Sequence, residues 1–91
     1  MSSTKRPEGT AKVVFDFPEM IGGVEVDFLV MRRPKVRDRV EASKASSNEG
    51  EQAAHLIANL CEVTLDDIMQ LDDNTWAKLE NQIVAFRMAR S

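Results

Sequence analysis

The sequence predicts an α+β fold in which an N-terminal β-hairpin is followed by three main α-helices (ββααα), with a short helical turn before the last helix. Three observations predict it. Apolar residues recur with a period of two across residues 12–17 and again across residues 24–31, the period of half-buried strands. Between these runs, Gly22-Gly23 supplies two positions able to take positive φ. Beyond residue 34 the apolar spacing changes to three and four, as on the buried face of a helix.

In the first strand Val13, Phe15 and Phe17 alternate with Lys12, Val14 and Asp16. Pro18, with no N–H to give a ladder, is expected to end it, and residues 18–23 then read as the turn. In the second strand Val24, Val26, Phe28 and Val30 are expected to share the apolar face, with Glu25 and Asp27 opposite. Two strands alone are marginal in water, so this face needs cover from helices or from a partner.

Pro34 suits a helix start, which leaves that N–H unpaired anyway, and a helix is expected from about Lys35 to Ala45. Its apolar content is thin: Val36 and Val40 form a stripe with Ala42 and Ala45 nearby, and Glu41 lies four residues after Arg37. Residues 46–50 read as a loop, with Ser47 able to cap the next helix. Residues 51–62 carry Ala53, Leu56, Ile57 and Leu60 on one face beside Ala54 and Cys61, the clearest core-facing helix in the chain. Thr64, with Asp67 three residues later, opens a short turn through Ile68 and Met69. Asp72, Asp73 or Asn74 then starts a terminal helix, running to about Met88, whose stripe is Trp76, Leu79, Ile83 and Phe86. Residues 1–11, polar and holding Pro7 and Gly9, are expected to form a flexible tail. Residues 12–91 are expected to form a single domain, with the hairpin over 12–31 and the helical part over 34–89.

The composition, 43% hydrophobic and 30% charged, is that of a globular chain. No apolar run approaches the roughly 20 residues of a membrane helix. The first residues lack the apolar stretch of a secretory signal, so the chain is expected to stay in the compartment where it is made. A single cysteine excludes an internal disulfide, and a net charge of −3 argues against a general nucleic-acid binder. His55 stands alone in mid-helix, and Cys61, six residues on, faces another way. The pairs Asp66-Asp67 and Asp72-Asp73 are neighbours at helix starts, where they complement the dipole instead of facing each other across a cleft. Neither a calcium-loop spacing nor a glycine-rich phosphate cradle is present. The expectation is a binding protein with no catalytic residues, no metal and no cofactor.

Two places are candidates for binding. Residues 32–39 hold five basic residues in eight, and positive charge at a helix start opposes the macrodipole by about 0.3–1 kcal/mol per charge. These cations need an acidic counterpart, either within the fold, where Glu25, Asp27, Asp66 and Asp67 are available, or on a partner; Asp38 is expected to offset little of the charge. The stripe of the terminal helix is the other place: it can pack the core, or leave Phe86 and Met88 to receive an amphipathic helix. The candidate partner-binding residues are therefore Arg32, Arg33, Lys35, Arg37, Trp76, Ile83 and Phe86.

Several of these segments carry a family resemblance. The hairpin with its Gly22-Gly23 turn, the passage Leu29-Val30-Met31-Arg32-Arg33-Pro34-Lys35-Val36-Arg37-Asp38, the helix holding Ala54-His55-Leu56-Ile57-Ala58-Asn59-Leu60, and Thr64-Leu65-Asp66-Asp67-Ile68 followed by Leu71-Asp72 resemble the tail assembly chaperones of Mu-like and P2-like contractile-tailed phages. The resemblance covers about residues 13–86, and residues 32–38 are its most specific part. It implies a non-enzymatic protein, of phage or prophage origin, that acts in the host bacterial cytoplasm. It further implies that the protein binds the tape measure protein, keeps it soluble during tail morphogenesis, and is absent from the mature virion. Two other functions fit the residues: a small nucleic-acid-binding regulator using the basic segment 32–39, and a minor structural tail component. Self-association is a further expectation, since a small chain with exposed apolar surface has reason to bury it.

Overall fold

In a computed structural model of the chain, which describes residues 9–88, the elements are β1 (Thr10–Ile21), β2 (Val24–Arg32), α1 (Val36–Ala45), α2 (Glu49–Cys61), α3 (Leu65–Met69) and α4 (Asp73–Met88). The α+β order ββααα is as expected, with α3 the short turn before the last helix. Most of the expected tail lies outside the described residues, while Thr10 and Ala11 already belong to β1.

β1 and β2 pair antiparallel through Gly22 and Gly23, whose φ values of +60° and +80° are those of a two-residue hairpin connection. Pro18 does not end the first strand. The register jumps from Val14 opposite Phe28 to Glu19 opposite Val26, which leaves residues 15–18 facing Asp27 alone. Pro18 thus falls where the ladder is already interrupted, the one place inside a strand where a missing N–H costs little. The bulge also breaks the period of two. Val13, Phe15 and Met31 are buried against the helices and Leu29 packs on them, whereas Val24, Phe28, Val30 and Phe17 are exposed. The expected apolar face of β2 is therefore split, and only Val26 of its four valine and phenylalanine positions packs on the core.

Pro34 precedes α1 without entering it. Lys35, extended at φ −113° and ψ 164°, holds the N-cap position, and Asp38 in the first turn accepts from the Lys35 N–H through Oδ2 at 2.8 Å. The buried side of α1 is Asp38 and Ala42, not the Val36–Val40 stripe; Val36 is 79% exposed. Asn48, not Ser47, caps α2, its Oδ1 accepting from the Glu51 N–H at 3.0 Å. α2 supplies Ala54, Leu56, Ile57, Ala58, Leu60 and Cys61 to the core and packs on α1, α3 and β2. It ends in a left-handed residue, Glu62 at φ +60°, with the Val63 N–H donating to the Ala58 carbonyl at 3.0 Å. Thr64 caps α3 as expected, and Asp67 returns the bond, so a capping box is present in both directions, at 3.1 and 3.4 Å.

α4 packs on β1. Leu79 and Phe86 of its stripe are buried, and Trp76 and Ile83 are half-buried against the core. Beside them Thr75, fully buried, donates its hydroxyl hydrogen to Glu19 Oε2 at 2.6 Å. The same carboxylate oxygen accepts from the Asp72 N–H at 3.3 Å. Glu19 lies at the edge of the bulge, so the distortion of β1 brings a carboxylate to the start of α4. Asp67 makes a matching link from α3, its Oδ1 accepting from the Gly22 N–H at 3.2 Å. The tip of the hairpin is held to the helices by these two acidic side chains.

Candidate protein-binding surface

The passage from β2 to α1 sorts its cations into two groups. Arg32 donates from Nη1 and Nη2 to the two carboxylate oxygens of Asp38, each at 2.9 Å. Asp38 is 3% exposed, so this bidentate pair closes over a buried carboxylate that also caps α1. The Arg32 guanidinium, with the Lys35 N–H and despite burial, holds the Asp38 carboxyl down at about 2, and the arginine's own pKa is raised in return. The expectation that Asp38 offsets little is therefore wrong: local sequence hides a pair that forms only when β2 turns sharply into α1. Arg33 donates from Nη1 to the Phe86 carbonyl at 3.0 Å and sets its guanidinium 5.2 Å from the Phe86 ring centre. A cation thus satisfies a carbonyl near the end of α4, where the dipole favours positive charge.

Lys35 and Arg37 are exposed, as is Arg39 on α1. None of the three makes an ion pair among the described residues, where the pairs are Arg32 with Asp38 and Lys78 with Asp16. The internal acids named from sequence do not answer these charges; Asp67 turns to the hairpin instead. Arg33, Lys35 and Phe86 come together with Pro34, Val36, Arg39 and Arg87 around a cleft of about 270 Å³ between the start of α1 and the end of α4. Arg87 belongs to this cleft and is missed by sequence reasoning, since nothing local to the terminal helix announces that it returns to the start of α1. Ile83 lines a neighbouring apolar groove of about 310 Å³ with Ala42, Ala53, Leu56, Ile57 and Val84. Trp76 is apart from both, beside Ala54, Ile68 and Leu71 in a depression at the other end of α4.

The outer face of the hairpin is also apolar. Val14 and Phe28 are cross-strand neighbours, Lys12 lies opposite Val30, and the Lys12 ammonium sits 4.4 Å above the Phe28 ring. Phe28 is 39% exposed and Val14 57%.

Cys61 is buried and its thiol is pushed up to about 12 by that burial, far from the thiolate a nucleophile needs. Among the described residues, no three His, Cys, Asp or Glu side chains are placed to hold a metal ion, and no helix is long and apolar enough to cross a membrane.

Residues 12–87 match the family model for phage tail assembly chaperone proteins, E, or 41 or 14. The chain belongs to this family. The match runs from the first strand to the last turn of α4, so it includes the hairpin, the Arg32–Asp38 pair and the cleft between α1 and α4. No curated protein and no solved structure matches the chain. In this tail assembly chaperone the basic passage that carries the sequence resemblance is thus both a structural joint, through Arg32 and Arg33, and an open cationic surface, through Lys35, Arg37 and Arg39.

Proposed function

We propose that this chaperone binds the tape measure protein of its phage and keeps it soluble until the tail tube assembles around it, working in the host cytoplasm and leaving before the virion is complete. The observation that carries this reading is the combination of family membership with surface unused by the fold: cations that make no ion pair among the described residues, beside exposed valines and an apolar groove. A long helical client exposes apolar stripes that aggregate before assembly. A small acidic protein that covers such stripes lowers the exposed apolar area and adds net negative charge to the complex. No catalytic step and no cofactor is needed for that role.

Within this reading Lys35 and Arg37 offer charge to the client, and Ile83 with its groove offers apolar contact. Arg32, Arg33 and Phe86 set the position of α1 against α4, and Trp76 supports the far end of that helix. Co-expression tests the proposal: tape measure protein recovered in the soluble fraction as a complex supports it, and equal solubility with and without this chain, with no complex on purification, refutes it.

A further inference from the structure

We propose that the cleft between the start of α1 and the end of α4 is the seat of an acidic amphipathic helix, its carboxylates held by Lys35, Arg39 and Arg87 and its apolar stripe laid on Val36. This rests on the chaperone reading and names the part of the protein and the chemistry of the client segment that meet. The cleft is lined by four cationic side chains, from Arg33, Lys35, Arg39 and Arg87, and by Pro34, Val36 and Phe86; among the described residues no acidic side chain lines it. Asp38, on the same first turn of α1, is buried and already answered by Arg32. The chain as a whole is acidic, at −3, so this local positive field stands against the sign of the molecule and selects a negatively charged partner.

The apolar part selects the kind of partner. Val36 is 79% exposed at the mouth, and Val40, Val84 and Met88 are exposed on the same two helices. A valine this open contributes nothing to the core, and on the first turn of α1 it lies between cations. Cations around an apolar centre are the complement of a helix with a leucine-type stripe bordered by aspartate or glutamate. Nucleic acid fits less well: Phe86, the aromatic residue in the cleft, is 8% exposed and its ring is covered by Arg33, so no open face is offered to a base.

The test uses three fluorescent probes against the whole chain: a helical peptide of about 18 residues, about 27 Å long, with a leucine stripe flanked by glutamate; the same peptide with lysine for glutamate; and a single-stranded oligonucleotide of equal length. Anisotropy titrations should show the acidic peptide bound, more weakly as salt rises from about 50 to about 300 mM, and the lysine peptide unbound. A Lys35→Glu, Arg39→Glu, Arg87→Glu variant should lose at least about tenfold in affinity with an unchanged circular dichroism spectrum. If that variant does not fold, the alanine triple variant and Val36→Ser replace it with the same expectation. Equal binding of the two peptides, tighter binding of the oligonucleotide, or undiminished binding by the folded variants would overturn the proposal. A variant that still co-purifies with tape measure protein at the wild-type level rejects the cleft while leaving the chaperone reading intact; wild-type protein that holds no client rejects the chaperone reading itself.

Discussion

Removing the Asp38 carboxylate should destabilise the protein more than any other single change on its surface passage. Three hydrogen bonds end on this group, two from Arg32 at 2.9 Å and one from the Lys35 N–H at 2.8 Å. Asp38→Ala leaves the Lys35 N–H without its cap and the Arg32 guanidinium without its partner. Loss of a cap costs about 1 kcal/mol, and breaking a buried charge pair about 3–5 kcal/mol. Arg32 is 41% exposed at its side chain, so water can rehydrate it and the pair falls below that range, at about 2 kcal/mol, which with the cap makes about 3 kcal/mol in all. For a domain of this size that is a large share of a total of roughly 5–14 kcal/mol. Urea unfolding of wild type, Asp38→Ala, Arg32→Met and the double variant gives the coupling between the two side chains, expected at about 1–2 kcal/mol. The pair also sets a pH dependence. Asp38 titrates at about 2 in the fold against 3.8 when unfolded, so its stabilisation is fully present above about pH 5 and is lost as pH falls toward 2. The gap between wild type and Asp38→Asn should therefore close over that range. A cost below about 0.5 kcal/mol, or a coupling near zero, would refute the pairing as a determinant of the fold.

Other positions give sharper single tests. Thr75→Val should cost about 1–2 kcal/mol in urea unfolding, because it removes the hydroxyl that donates to Glu19 at 2.6 Å in a fully buried site; a neutral result would remove the link between bulge and α4. Glu62→Gly should stabilise by about 0.5–1 kcal/mol, since the residue sits at φ +60°, where glycine carries no steric penalty. Cys61 should resist a thiol reagent at pH 8 in the folded protein and react at once in denaturant; fast labelling of folded protein would contradict its burial. Charge reversal separates the two groups of cations: Arg32→Glu should lower the melting temperature by several degrees, while Arg37→Glu, exposed and without an ion pair among the described residues, should leave it nearly unchanged.

The elements were legible in the sequence wherever a local signal dominates. α2 shows its core face in the spacing of Leu56, Ile57 and Leu60, and the Thr64–Asp67 box marks α3 with no help from tertiary structure. The hairpin turn was legible because positive φ at two adjacent positions demands glycine. What failed was long-range. The bulge at residues 15–18 depends on how β1 meets α4, through Glu19, Asp72 and Thr75, residues more than fifty positions apart. Once the bulge is present, the faces of β2 cannot be read by simple alternation. The weight of Asp38 escapes a local reading for the same kind of reason. Counted along the chain it is one acid among five cations, but the chain's path buries it and gives it the best-placed of them.

The candidate surface was legible as composition but not as geometry. The basic run was visible, yet only the fold separates Arg32 and Arg33, which tie β2 and α1 to their neighbours, from Lys35, Arg37 and Arg39, which remain on the outside. Arg87 joins them from the far end of the chain. Trp76 and Ile83, expected on one stripe, line different depressions because α4 rests on β1 and turns different parts of its length toward different neighbours.

The most direct measurement is co-expression of this chain with the tape measure protein of the same phage, followed by affinity purification and size-exclusion chromatography. The chaperone reading predicts that the tape measure protein moves from the insoluble to the soluble fraction and elutes with this chain in one peak. Tape measure protein that stays insoluble beside abundant folded chaperone, or that is soluble alone and elutes apart from it, would contradict that reading.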